Sequence, residues 1–192
     1  MGRPSLAEQR KAEILDAFGR CVARFGLEGS TLEHIAEEAG MKRSILRHYL
    51  GNRDDLVHSL ARKVIADYRG ITESSLDTFR DGNRSTNLVD FLLPTQAFGS
   101  TEQLLILEGL IGASGKYPRV MKLVRGYVED FVDLVAQQLK LISPETARSR
   151  CWDTAYALVC ISFNQESLQP LKLEPKYLKA ARKMARDLIK NI

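Results

Sequence analysis

A single glycine, Gly40, separates two short amphipathic stretches, 31–39 and 42–50. Few folds tolerate so tight a joint between two helices. Glycine adopts the left-handed backbone that ends a helix without steric cost, and the next residues then start a new one. In the first stretch Leu32, Ile35, Ala36 and Ala39 form an apolar stripe at helical spacing. Ser30 or Thr31 can cap it, and Ser30 with Glu33 three residues on has capping-box spacing. In the second, Ile45, Leu46 and Leu50 are apolar, whereas Lys42, Arg43, Ser44, Arg47, His48 and Tyr49 are polar or amphipathic. Two helices crossing at a tight turn make a helix-turn-helix, which holds its second helix at a fixed angle to the first.

The same periodicity runs through almost the whole chain. Apolar positions at spacings of three and four predict helices at 8–26, 54–70, 101–114, 118–141, 144–168 and 174–191. Ser74-Ser75, Asp81-Gly82-Asn83 and Pro94 leave 71–100 less regular. The expected fold is all-α: an N-terminal three-helix unit with the helix-turn-helix at about 31–50, within a domain 8–70, followed by a larger helical domain 71–192.

The second helix of the pair, with its flanks, lacks acids between Glu38 and Asp54, although the chain as a whole carries only +4 net charge. A basic face on a short helix is often merely solvated. On a helix-turn-helix it suits the major groove, where Arg donates two hydrogen bonds to guanine O6 and N7. Arg43, Ser44 and Arg47 are therefore candidates for base edges. Lys42, His48, Tyr49 and Arg53 are candidates for phosphates, together with Thr31 at the amide end of its helix. Gly2-Arg3-Pro4 could lie as an arm in a minor groove, with Arg3, Arg10 and Lys11 as contacts.

Residues 8–70 resemble the DNA-binding domain of TetR-family transcriptional regulators. Phe25-Gly26 closes the first helix, Thr31…Ile35-Ala36…Ala39-Gly40 follows, and Tyr49…Asn52-Arg53-Asp54…Leu56 completes the pattern. Three positions depart from it: Arg47 stands where Tyr is common, Leu50 where Phe is usual, and Ser44 where Gly is frequent. Leu50 keeps the core slot; Arg47 and Ser44 face the DNA, so the operator cannot be borrowed from a relative. The resemblance implies a C-terminal ligand-binding and dimerisation domain, a double-stranded operator and a small-molecule effector. Tyr156, Val159, Phe163, Leu178, Ala181 and Leu188 are then expected in a homodimer interface. Phe98, Leu107, Phe131, Trp152 and Tyr156 are expected to line an effector pocket suited to a hydrophobic molecule. The implied function is a repressor released by its effector. A helical adaptor or activator on the same fold is the alternative.

Other classes fit poorly. The three histidines lack metal-protease spacing, and neither a nucleophile elbow nor a dinucleotide fingerprint occurs. Gly109 to Tyr117 mimics a P-loop but has Leu110 where glycine is required and Tyr117 after Lys116. Cys151 and Cys160 on one helix lie roughly 13 Å apart and on opposite sides, so neither a disulfide nor a shared metal is expected. No cofactor or enzymatic activity is expected. The polar N-terminus and the lack of long apolar runs point to a cytoplasmic protein without a membrane span.

Overall fold

The structure, a computed structural model, describes residues 5–76, 83–95 and 100–192. Apart from one 3-10 turn, their regular elements are α-helices: α1 (Leu6–Gly29), α2 (Leu32–Glu38), α3 (Arg43–Leu50), α4 (Arg53–Leu76), α5 (Arg84–Leu92), α6 (Thr101–Gly112), α7 (Pro118–Ile142), α8 (Arg148–Ser167) and α9 (Pro175–Lys190). The all-α expectation holds.

Local chemistry explains where the helix ends differ from those expected. Helix α1 starts at Leu6 because Ser5 and Glu8 form a reciprocal capping box. Its regular course breaks at Gly26, which is left-handed at φ 71°. Helix α4 runs past Gly70 to Leu76, since one glycine costs only about 1 kcal/mol in a helix. Helix α8 starts at Arg148 rather than 144. Ahead of it, Lys140 Nζ donates to the carbonyls of Pro144 (2.5 Å) and Thr146 (2.6 Å), holding those residues in a turn.

Packing divides the chain into two compact units, and not by a single cut near residue 70. The first comprises the described residues of Met1–Tyr68 and Gly99–Arg125. Its centre is α1, whose Ile14, Ala17, Phe18, Cys21 and Val22 are buried at helical spacing, against α2, α3 and α6. Gly19 permits the close approach of α6: a Cβ there would stand 3.1 Å from Ile106 Cδ1. The second unit comprises the described residues of Arg69–Phe98 and Gly126–Ile192. Leu88, Leu92, Val135, Leu139, Ala155, Leu158, Ala185 and Ile189 form its core.

Candidate nucleic-acid interface

The first turn of α2 is capped by Thr31, whose Oγ1 accepts from the His34 amide at 3.2 Å. The Ser30–Glu33 capping box does not form. Ser30 is fully buried, and its hydroxyl donates to the Gly26 carbonyl at 2.7 Å, where the left-handed glycine breaks α1. Glu33 is left free for another partner and pairs with Arg43 of α3.

At the far end of α2, Gly40 takes φ 61°. Its amide donates to Glu37 (3.0 Å), and the Met41 amide reaches back to Ala36 (2.9 Å). These two bonds are a Schellman closure, which fixes the exit direction of the chain and hence the start of α3. Leu46 and Leu50 are then buried and Ile45 is half-buried. Lys42, Arg43, Ser44, Arg47 and His48 are exposed, and Tyr49 is half-buried with its ring edge-on to His48 at 5.0 Å. Helix α3 has no acid in its first turn, and Lys42 supplies no side-chain cap. Its positive amide end therefore adds to the basic side chains.

Two carboxylates near this surface, Glu38 and Asp55, are engaged elsewhere. Glu38 accepts from Arg20 Nε (2.6 Å) and Arg24 Nη1 (3.1 Å) on α1. The Arg20 hydrogen bond holds its carboxyl below the usual range. Asp55 is lowered by its hydrogen bond from Arg119, then by the Asn52 amide. Asn52 and Asp55 cap each other's backbone at the start of α4.

Arg53 is a correction to the sequence reading. Its guanidinium does not face outward with the other basic groups. It donates to the carbonyls of Ser30 (2.5 Å) and Leu27 and lies 5.0 Å from the Phe18 ring centroid. The break at Gly26 leaves carbonyls in this region without helical partners, and a guanidinium fork satisfies two at once. Arg10 is likewise part of α1, paired with Glu13 at 2.6 Å, and Lys11 is exposed on the same helix. Arg3 lies outside the described residues.

Four of the expected effector residues lie among the described ones. Leu107 is buried on α6 in the first unit. Phe131 is buried in the second, stacked between Tyr127 (6.1 Å) and Phe163 (5.9 Å). Trp152 and Tyr156 face outward, 47% and 51% exposed, with parallel rings 5.9 Å apart. The indole N–H donates to Asp133 at 3.1 Å, which anchors it on the surface beside a cleft of about 590 Å³. Phe98 lies outside the described residues. Sequence reading missed a cavity of about 310 Å³ between α5, α8 and α9, lined by Leu92, Ser162, Gln165, Glu166, Gln169 and Leu178 among others. Its signal was present: polar Gln165, Glu166 and Gln169 follow an apolar run.

Of the expected interface residues, Tyr156 is exposed and Phe163, Leu178, Ala181 and Leu188 are half-buried. Val159 is a correction: at 2% exposure it belongs to the intrachain core, one position round the helix from Leu158. Tyr177 and Met184, on α9 with Leu178, Ala181 and Leu188, are exposed apolar residues as well. Among the described residues, no group of three metal-binding side chains converges, and no helix is long and apolar enough to cross a membrane.

Comparison with known proteins supplies the family context. No family model matches the chain. A transcription regulator of TetR type from Haloarcula marismortui superimposes with a TM-score of 0.76 over 96% of this chain and 98% of that one, at 16% identity. Its fold is the TetR fold. A transcriptional regulator from Saccharomonospora viridis, solved in complex with choline, shares this TetR fold at a TM-score of 0.75 and 14% identity, over 95% and 96% of the two chains. In sequence, the chain is 32% identical over 85 residues to the HTH-type transcriptional regulator BetI of Burkholderia ambifaria. That match spans 44% of each protein. These relatives are transcriptional regulators, a non-enzyme class.

Proposed function

We propose that the chain is a homodimeric, sequence-specific DNA-binding regulator, a repressor that a small organic effector releases from a pseudo-palindromic operator. The observation that carries this reading is the division of α3: Leu46 and Leu50 are buried, while Lys42, Arg43, Ser44, Arg47 and His48 face solvent with no acid on the helix. Arg43, Ser44 and Arg47 read base edges. Lys42, His48 and Tyr49 meet phosphates, as does the Thr31 end of α2. Arg53 supports the reading head from within. Arg3 contributes an arm to the minor groove. The N-terminal stretch 8–70 carries recognition, and 71–192 carries effector binding and dimerisation.

The outward apolar residues of α8 and α9 support a two-fold contact with a second copy, which would place two reading heads on one face of DNA. The cavities of the second unit, and the choline held by the Saccharomonospora protein, support a small-molecule effector. The effector acts by binding better to a conformation that spaces the heads wrongly.

Fluorescence anisotropy with a pool of random duplexes tests the core of this reading. Binding at low salt should weaken steeply, with log affinity falling by about 0.9 per phosphate contact for each unit of log salt. No binding at low salt would overturn it.

A further inference from the structure

We propose that Glu33 is a specificity-determining residue, releasing Arg43 only to a sequence that offers the carboxylate a donor of its own. This inference rests on the DNA-binding reading. Glu33 lies in the first turn of α2, and Arg43 is the first residue of α3. Their side chains form an ion pair and remain 59% and 52% exposed. Glu38, at the other end of the same helix, is held by Arg20 and Arg24 on α1. Glu33 thus puts a carboxylate onto the basic reading surface, beside a residue suited to reading guanine.

In the free protein this exposed pair is weak, because water screens it. At a DNA surface the balance changes. When Arg43 turns to guanine O6 and N7, Glu33 is left among phosphates without its cation. Like charges brought together in this way penalise the complex. The penalty is relieved where a base amino group, on cytosine N4 or adenine N6, donates to the carboxylate. The pair therefore favours sites that present an acceptor pair and an amino donor together. It disfavours random DNA, where Arg43 and Glu33 can only remain bound to each other or separate unpartnered. Discrimination by a repulsive element of this kind does not require tighter binding to the right site.

The test uses the full chain, unmodified and as Glu33→Gln, Arg43→Gln and the double variant. The probes are the duplex best enriched by selection with the unmodified protein and a random-sequence duplex, titrated across salt. Glu33→Gln should tighten random-duplex binding by roughly tenfold while changing selected-duplex affinity less. Repeating the selection with Glu33→Gln should return a consensus degenerate at one position. In the Arg43→Gln background the carboxylate has lost its cation from the start, so Glu33→Gln should still narrow the ratio of the two affinities. An unchanged random-duplex affinity and consensus, or equal weakening on both duplexes, would overturn the inference alone. Failure of the unmodified protein to bind any duplex would overturn the DNA-binding reading and this inference with it.

Discussion

Arg53 offers the sharpest separation between two roles that a basic residue can play here. As a phosphate contact it would matter only on DNA; as an internal clamp it matters to folding. The structure favours the clamp: two carbonyls accept from the guanidinium, and the Phe18 ring lies beneath it. A hydrogen bond to a charged group contributes about 1.5–3 kcal/mol, and an exposed cation–π contact about 0.5–1. Because Arg53 is half-buried, both ends of these ranges are discounted, so Arg53→Ala should lose roughly 2–3 kcal/mol. For a chain of this size each kcal/mol shifts Tm by about 2–4 °C, giving a fall of roughly 5–10 °C. Thermal unfolding at one fixed protein concentration measures it. Arg53→Lys should lose an intermediate amount, since an ammonium cannot fork to both carbonyls. An unchanged Tm, with a salt slope for DNA shallower by about one phosphate, would refute the clamp.

Other outcomes follow from the same geometry. Arg47→Ala should broaden the selected consensus while Lys42→Ala weakens all duplexes alike; selection and salt titration distinguish them, and equal effects on specificity would refute the division of contacts. His58 is held below its ordinary value of 6.5, first by burial and then by Arg119 and Arg62, with Asp55 opposing. Its neutral form is the folded one, so stability is full above pH 6.5 and declines as pH falls below it. In Tm measured against pH, His58→Asn should flatten the first part of that decline. Gly51 has φ 77°, and a Cβ there would lie 2.7 Å from Asp55 Oδ2, so Gly51→Ala should cost about 1–3 kcal/mol in a urea titration. Cys160 is exposed, whereas Cys21 and Cys151 are buried. A thiol reagent should modify Cys160 first in dilute protein and more slowly as concentration drives dimerisation; a rate indifferent to concentration would count against the α8 contact.

Much of the reading head was legible in the sequence because its constraints are local. Gly40 needed a left-handed turn, and the spacing of Leu46 and Leu50 selected the buried side of α3. What escaped was decided by groups far apart in sequence. Nothing near Arg53 announces that its partners are Leu27 and Ser30, more than twenty residues earlier. Ser30 itself satisfied the pattern of a cap, yet burial and the open Gly26 carbonyl claimed its hydroxyl. On α8 the apolar stripe was visible, but not which rings turn outward. Asp133 on the neighbouring helix, by capturing the Trp152 indole, decides that.

The discontinuity of the first unit bears on any attempt to graft this reading head. The segment up to Tyr68 is not self-contained, because α1 presses its Gly19 side against Ile106 of α6, some ninety residues downstream. A truncated peptide would expose that flank to water, and a chimera would set it against a foreign helix shaped for a different groove. Transplanting operator preference into another scaffold therefore means carrying α6 along, or confining the exchange to the outward side chains of α3.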